Sequence, residues 1–314
     1  MSSKMVSPRS ILKYFLAVSQ EEGVGANVRR SIGTMKVRNF TPFLMLDHFY
    51  VKPPAGFPDH PHHGQETITY VLDGKIAHED FTGSQGILNP GDLQFMTAGK
   101  GIVHSEIPVE NANRDPVVGM QLWVDLPKEL KNCEPRYRDL RKSEIPIVKP
   151  NDKVTVKVIS GESYGVKSVQ ELAYTPVDYY DFEVAPGGTF EQKISPEFNV
   201  FLYLMKGGLD INNTNIPEYN AVFFKRDGDS IVGKVPENQD GNSRFILVGG
   251  QVLDQQIVQH GPFVETSREK IYDVFMNYQS GTNGFERAKG WYSKIGGGIK
   301  EKDLQNGQIP RDEL

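Results

Sequence analysis

Residues 56–74 read GFPDHPHHGQETITYVLDG, and this stretch places His60 and His62 two apart at the start of a predicted strand. Because alternate residues of a strand share a face, both imidazoles point to one side, and His63 points to the other. Neutral imidazole is the commonest protein ligand for transition metals. The stretch therefore predicts part of a metal site on the inner face of a β-structure.

A second pair with the same spacing follows about 40 residues later. Residues 99–106 read GKGIVHSE, with His104 and Glu106 at alternate positions. Two strands would then contribute three imidazole nitrogens and one carboxylate. This mixed ligation suits Fe, Mn, Ni, Cu or Zn better than Ca or Mg. We expect open coordination positions on such an ion, where a substrate or dioxygen would bind.

The distribution of histidine and cysteine supports this interpretation. Of the seven histidines, only His260 lies outside residues 48–104. Cys133 is the single cysteine, so the chain can form neither an internal disulfide nor a thiolate metal cluster. Histidine and carboxylate side chains must therefore hold any metal.

Length and composition indicate a globular chain of two domains. The 314 residues are 38% hydrophobic, and a domain takes about 150 residues. A formal net charge of −5 gives no general basic field, so we expect no direct contact with nucleic acid. No apolar run reaches the roughly 18 residues of a membrane span. A monomer is expected, since two halves can cover each other's faces.

Short apolar or alternating runs, separated by Gly, Pro, Asn and Asp, extend from residue 10 to about 125 and resume after 153. This pattern is typical of β-sandwiches and barrels. It predicts an all-β chain with an N-terminal metal-binding domain over residues 1–130 and a connection over 131–152. A C-terminal domain without metal ligands would cover 153–264, because residues 105–259 contain no histidine.

The hydrophobic period changes to that of a helix in the predicted tail, residues 265–314. Ile271, Val274, Phe275 and Tyr278 fall on one face, Thr266 with Glu269 forms a capping-box pattern, and Gly281 lies past the predicted end. A shorter helix over 284–291 is expected to follow. We expect this tail to pack on the barrels.

The two ends of the sequence carry superficial targeting signals. Lys13 interrupts the only N-terminal apolar run, so residues 11–18 are interpreted as an opening strand rather than a signal peptide. The C-terminal Arg311-Asp312-Glu313-Leu314 is similar to a retrieval signal that is read only in the endoplasmic reticulum. Without a signal peptide it is taken as coincidental. We expect a cytoplasmic or nuclear protein, or one found in both compartments.

The motif resembles the cupin pattern, with the His-Pro-His unit, Glu66 and Gly74 matching its first part and GIVH its second. The wider strings GFPDHPH, ETITYVLDG, NPGDLQFMTAGKGIVHSE and NGFERAKGW are similar to the pirin family, over residues 9–293. This resemblance implies two tandem cupin barrels of jelly-roll type, with one iron in the first. Its ligands fall on the two pairs already found: His60, His62, His104 and Glu106. His63 and Gln65 depart from the family, which usually has Arg and an apolar residue there.

The resemblance implies one of two functions. The first is a metal-dependent dioxygenase that opens quercetin, or a related flavonol or aromatic enediol, with O₂. The second is a non-enzymatic, iron-dependent and redox-sensing nuclear co-regulator that acts through transcription-factor partners. Fe(II) is the expected ion, although other divalent transition metals fit the same ligands.

Further residues are assigned expected roles on strand geometry. Glu106 or Glu66 would accept the hydroxyl proton of a substrate. If its strand is regular, Glu66 points inward as a proton acceptor or a partner of a ligand imidazole, and direct ligation stays open. Gln121 and Trp123 share one face of a strand and are expected to line the substrate pocket.

Overall fold

The computed structural model describes residues 7–22, 25–169 and 172–310. The C-terminal tetrapeptide that is similar to a retrieval signal lies outside these residues. Within the described part of the chain, no helix has the length and apolar character needed to cross a membrane.

Strands dominate the described residues. Strands β1–β14 span Ile11–Leu16, Ser19–Glu21, Ala26–Ile32, Phe43–Val51, Phe57–His62, Gln65–Asp73, Ile76–Asp80, Gln85–Leu88, Leu93–Thr97, Ile102–Glu110, Val117–Asp125, Arg136–Leu140, Ile147–Asn151 and Val154–Ser160. Strands β15–β27 span Glu162–Ser163, Val166–Lys167, Val177–Val184, Thr189–Lys193, Phe198–Lys206, Leu209–Ile211, Thr214–Ile216, Asn220–Phe224, Ser230–Lys234, Ser243–Gln251, Val258–His260, Phe263–Glu265 and Ile299–Lys300. Helix α1 spans Arg268–Ser280, and short 3₁₀ turns span Lys128–Leu130, Lys142–Glu144 and Glu301–Asp303. The prediction of an all-β chain with a short helical segment is confirmed.

The chain divides into two compact units. Unit 1 contains the chain up to Val18, Phe40–Pro42 and Ser143–Leu253. Its larger sheet has the strand order β1-β22-β19-β24-β17-β14-β13, and its smaller sheet has the order β18-β23-β20-β21. Its buried core includes Phe182, Phe190 and Phe245, with the rings of Phe182 and Phe245 stacked at 5.0 Å. Aliphatic and aromatic side chains together form the core of this unit.

Unit 2 contains Ser19–Asn39, Phe43–Lys142 and the chain from Asp254 onward. Its seven-stranded sheet has the order β12-β9-β6-β11-β4-β3-β2. In the second sheet, β10 pairs with β7, β27 and β5. Both predicted metal-binding pairs lie here, on β5 and β10.

The compact units differ from the predicted boundaries at both ends of the chain. Strand β1 pairs with β22, so the opening strand joins the sheet of unit 1 rather than a domain of residues 1–130. Residues 254–264, predicted within the C-terminal domain, belong to unit 2. Alternation along one strand reports which of its faces is buried but carries no information on its pairing partner.

The predicted connection over 131–152 contains two edge strands. Strand β12 pairs with β9 in unit 2, and β13 pairs with β14 in unit 1. Four of five residues in β12 are half-buried, and four of five in β13 are exposed. Because edge strands have few buried positions, they lack the alternation of apolar and polar residues that predicts a strand from sequence.

Helix α1 begins one residue later than the capping-box pattern suggests. Ser267 is the N-cap, and its side chain accepts a hydrogen bond from the Lys270 backbone. Gly281 ends the helix in the left-handed conformation, as predicted. Ile271 and Val274 are buried as α1 packs against the β25–β26 hairpin. Residues 284–291 form turns rather than the expected second helix.

Candidate metal centre

Strands β5 and β10 bring three histidines together. The two strands pair antiparallel with His60 opposite His104. His60, His62 and His104 each offer a ring nitrogen, and these nitrogens all lie within 4.8 Å of one another. The Nε2 atoms of His60 and His104 are 3.0 Å apart. Two neighbouring ligands on one octahedral ion, with bonds of about 2.1 Å, would also lie about 3.0 Å apart.

The environment keeps the imidazoles of His62 and His104 neutral. Burial, reinforced by the neighbouring imidazoles, lowers the pKa of His62 and of His104 well below the usual range. His60 Nδ1 lies 2.8 Å from the Pro58 carbonyl oxygen, to which it can donate. His62 Nε2 is buried and has no hydrogen-bond partner in the described part of the chain. Neutral imidazoles with an unused buried nitrogen fit a transition-metal ion.

Glu106 lies at the edge of the histidine cluster. Its Oε2 atom is 4.0 Å from His104 Nε2. The Gln121 amide donates to Oε2 at 3.1 Å, and the Thr69 hydroxyl donates to Oε1 at 2.9 Å. Glu106 is 3% exposed, and its hydrogen-bond donors among the described residues are two neutral side chains. A carboxylate so placed can accept a proton or complete a set of metal ligands.

The structure places both Gln121 and Trp123 beside this cluster. The indole ring of Trp123 lies 5.1 Å from the His62 ring, at 87° to it. Both side chains line a cleft of about 1410 Å³, as do His60, His62 and Glu106. Further lining comes from β3, β4, residues 33–39, residues 56–59 and residues 256–262. The cleft thus reaches His60 and His62, with the indole ring of Trp123 beside them.

Glu66 does not join the cluster. On β6, Thr69 faces Glu106, so Glu66, three residues earlier, lies on the opposite face. Its Oε1 atom accepts a hydrogen bond from the Thr97 hydroxyl at 2.7 Å. Between β5 and β6 the chain passes through Gly64 at φ +70° and changes sheets. The alternation of faces that places His60 and His62 on one side is therefore interrupted before Glu66.

Sequence reasoning missed two polar residues in contact with the site. Thr69 lies 2.9 Å from oxygens of both Glu106 and Gln121, and Gln65 bonds to His62. The alternating threonines in ETITY could have indicated the position of Thr69, because Thr67 and Thr69 share one face of the strand. His63, predicted to point away from His60 and His62, is 3% exposed and pairs with Glu265 at 3.1 Å. The β25–β26 hairpin covers it, and local periodicity cannot predict so distant a contact.

Two family models match the chain. One, described as pirin, matches residues 25–124, and the other, described as the pirin C-terminal cupin domain, matches residues 179–284. Pirin of Homo sapiens is 44% identical over 299 residues, which cover 93% of this chain and all of the human protein. Both matched regions carry the strand series described above.

Solved structures show the same fold. Quercetin 2,3-dioxygenase from Acinetobacter baumannii superposes with a TM-score of 0.79 at 23% identity, over 88% of this chain and 98% of that one. The pirin YhhW from Escherichia coli, solved with nickel(II), gives a TM-score of 0.59 at 20% identity, over 77% of this chain and all of that one. These similarities assign both barrels to the cupin fold.

Proposed function

The chain belongs to the pirin family of two-domain cupin proteins, and from this premise we propose that it is a metal-dependent dioxygenase acting on quercetin or a related flavonol or aromatic enediol. The observation that carries the proposal is the cleft of about 1410 Å³ that opens on the three-histidine cluster. An aromatic chelator needs such direct access to a metal. The name of the Acinetobacter baumannii relative in fold, a quercetin 2,3-dioxygenase, adds support for the substrate class.

His60, His62 and His104 would hold the ion, with Glu106 as the fourth ligand. We propose Fe(II) as that ion. The nickel(II) bound to Escherichia coli pirin supports a divalent transition metal in this fold. Such an ion, when bound, supplies Lewis acidity and exchanges electrons with dioxygen.

The chain's own residues would position the substrate and move its proton. Glu106 would accept the hydroxyl proton, because the side chains that donate hydrogen bonds to its carboxylate, Thr69 and Gln121, are neutral. Gln121 would orient the carboxylate, and the Trp123 ring would stack against or border the aromatic substrate. Opening one flavonol ring would consume one O₂ and release one carbon monoxide.

The size of the cleft favours catalysis over the alternative of an iron-dependent transcription co-regulator. A redox sensor that acts through a protein partner requires only small-molecule access to the metal. Small-molecule sites are clefts of about 300–1,000 Å³, and this cleft of about 1410 Å³ exceeds that range. A flavonol therefore fits with room for substituents.

The test is quercetin turnover by protein loaded with Fe(II) under anaerobic conditions, after O₂ is admitted. Flavonol absorbance and carbon monoxide release are followed together, and metal content is measured on the same sample. We expect loss of the flavonol with an equal amount of carbon monoxide. Absence of turnover in protein with a full metal site would contradict the proposed activity on flavonols.

Two glutamate variants distinguish a change at the proposed site from a change elsewhere on strand β10. Glu106→Ala should abolish turnover, because it removes the proposed ligand and proton acceptor. Glu110→Ala, at the end of the same strand where Glu110 pairs with Arg114, should leave turnover unchanged. Equal rates in both variants would remove Glu106 from the mechanism.

A further inference from the structure

Gln65 connects a proposed metal ligand to the wall of the cleft. Its side chain is fully buried, and its amide nitrogen donates to His62 Nδ1 at 2.8 Å and to the Pro262 carbonyl at 3.1 Å. Its amide oxygen Oε1 is buried without a hydrogen-bond partner in the described part of the chain. This oxygen can therefore still accept a hydrogen bond beside the proposed metal site. Leaving it unpaired costs free energy, so a donor that reached it would stabilise the protein.

The present hydrogen bond fixes the tautomer of His62. A ring nitrogen that accepts a hydrogen bond carries no proton, so the proton of neutral His62 resides on Nε2. Nε2 is also the nitrogen left for a metal, because Gln65 occupies Nδ1. A metal on Nε2 needs the lone pair of that atom, which moves the proton to Nδ1. His62 Nδ1 must then find an acceptor.

We propose that Gln65 is a positioning residue for His62, and that its amide turns by half a rotation when a metal binds. Oε1 then accepts the proton of Nδ1. The Pro262 carbonyl remains hydrogen-bonded, because it also accepts from the His63 backbone at 3.2 Å. The inference rests on the metal site of the proposed function.

A merely structural role for Gln65 makes a different prediction. Leucine has a similar volume and no polar atoms, so Gln65→Leu should preserve packing and remove an unsatisfied oxygen. If the amide only fills space, metal affinity would not change. If it holds the His62 tautomer, affinity falls roughly 10- to 100-fold, the usual effect of removing a partner of a metal-bound histidine.

Gln94 provides a matched control. It is also buried, and its amide nitrogen donates to His78 Nε2 at 2.9 Å, but His78 is outside the histidine cluster. Gln94→Leu should therefore leave the metal affinity unchanged. Gln65→Glu keeps an acceptor for Nδ1 and should restore at least the wild-type affinity.

The experiment titrates Co(II) into metal-free wild-type protein and the three variants in competition with a chelator. The visible Co(II) spectrum reports ligand geometry, and thermal unfolding of the metal-free proteins confirms folding. We expect weaker binding and an altered spectrum for Gln65→Leu alone. Equal affinities for wild type and Gln65→Leu, or no recovery in Gln65→Glu, would overturn the positioning role. Failure of the wild type to bind Co(II) would instead overturn the metal site itself.

A second measurement addresses the tautomer directly in wild-type protein. Long-range ¹H–¹⁵N spectra of the histidine rings distinguish protonated from bare ring nitrogens. His62 should carry its proton on Nε2 in metal-free protein and on Nδ1 in protein loaded with diamagnetic Zn(II). A proton on Nδ1 in both states would show that the amide does not turn.

Discussion

His62 and His104 are prepared for metal binding because burial lowers the pKa of each and keeps the rings neutral. His62→Ala should therefore lose bound metal while leaving the protein folded, since a buried core surrounds the site. Metal content per chain and circular dichroism check this outcome. His260→Ala, a change at the cleft but outside the cluster, should retain the metal. Full metal content in His62→Ala would refute the ligand assignment.

Asp178 in unit 1 should make stability depend on pH. Burial raises the pKa of its carboxyl from 3.8 to about 6, against a weaker opposing hydrogen bond from Tyr180. The folded state therefore binds the proton more tightly than the unfolded state, so stability falls as pH rises from about 4 through about 6. At about 1.4 kcal/mol per pKa unit the loss is at most about 3 kcal/mol, and solvent reduces it.

Asp178→Asn removes this ionisation. We expect the variant to unfold at a higher urea concentration than wild type at pH 7. We also expect its free energy of unfolding to change less with pH than that of wild type between pH 4 and pH 7. Asp210→Asn, at a half-exposed position in the same unit, is the control. An unchanged pH slope in Asp178→Asn would show that another group is responsible.

At the scale of residues, sequence was sufficient where alternation within one strand applied. It paired His60 with His62, His104 with Glu106, and Gln121 with Trp123. Five of these six side chains line the cleft, and His104 lies beside Glu106. It was insufficient for Glu66, because Gly64 interrupts the strand before it. It also missed Gln65, whose contact with Pro262 joins positions 197 residues apart.

Among elements, the turn between β5 and β6 and the β25–β26 hairpin depend on each other. A Cβ atom on Gly64 would lie 2.0 Å from the Val264 carbonyl oxygen, and φ there is +70°. Gly64→Ala should therefore destabilise unit 2 by about 2 to 5 kcal/mol, through backbone strain and a clash that neither backbone can relieve locally. Thermal unfolding measures the change.

Gly83→Ala is the matched control, because Gly83 has φ +92° and open space around its Cβ position. It should cost only about 1 kcal/mol for the left-handed conformation. If both variants lowered the free energy of unfolding by the same amount, the close approach to Val264 would make no contribution to the loss. We also expect Gly64→Ala, unlike Gly83→Ala, to weaken metal binding, because the hairpin holds Gln65 against His62.

For the molecule as a whole, the two units share a fold but not a chemistry. Unit 1 contains no histidine, and its core consists of aliphatic and aromatic side chains, among them Phe182, Phe190 and Phe245. We therefore expect one metal ion per chain from elemental analysis of fully loaded protein. Two ions per chain would contradict the assignment. The absence of histidine from unit 1 can be read from the sequence, whereas the allocation of β1 to unit 1 depends on long-range pairing.

The pairing of β1 with β22 has a consequence for how the protein is made. Ile11 pairs with Phe224, so this strand leaves the ribosome more than two hundred residues before its partner. At about 5–20 residues per second, translation takes roughly 10–40 s to cover that distance. During this time β1 has no partner strand from β22. Synthesis order thus sets when β1 can join the sheet of unit 1, and the N-terminal strand is among the last to be placed.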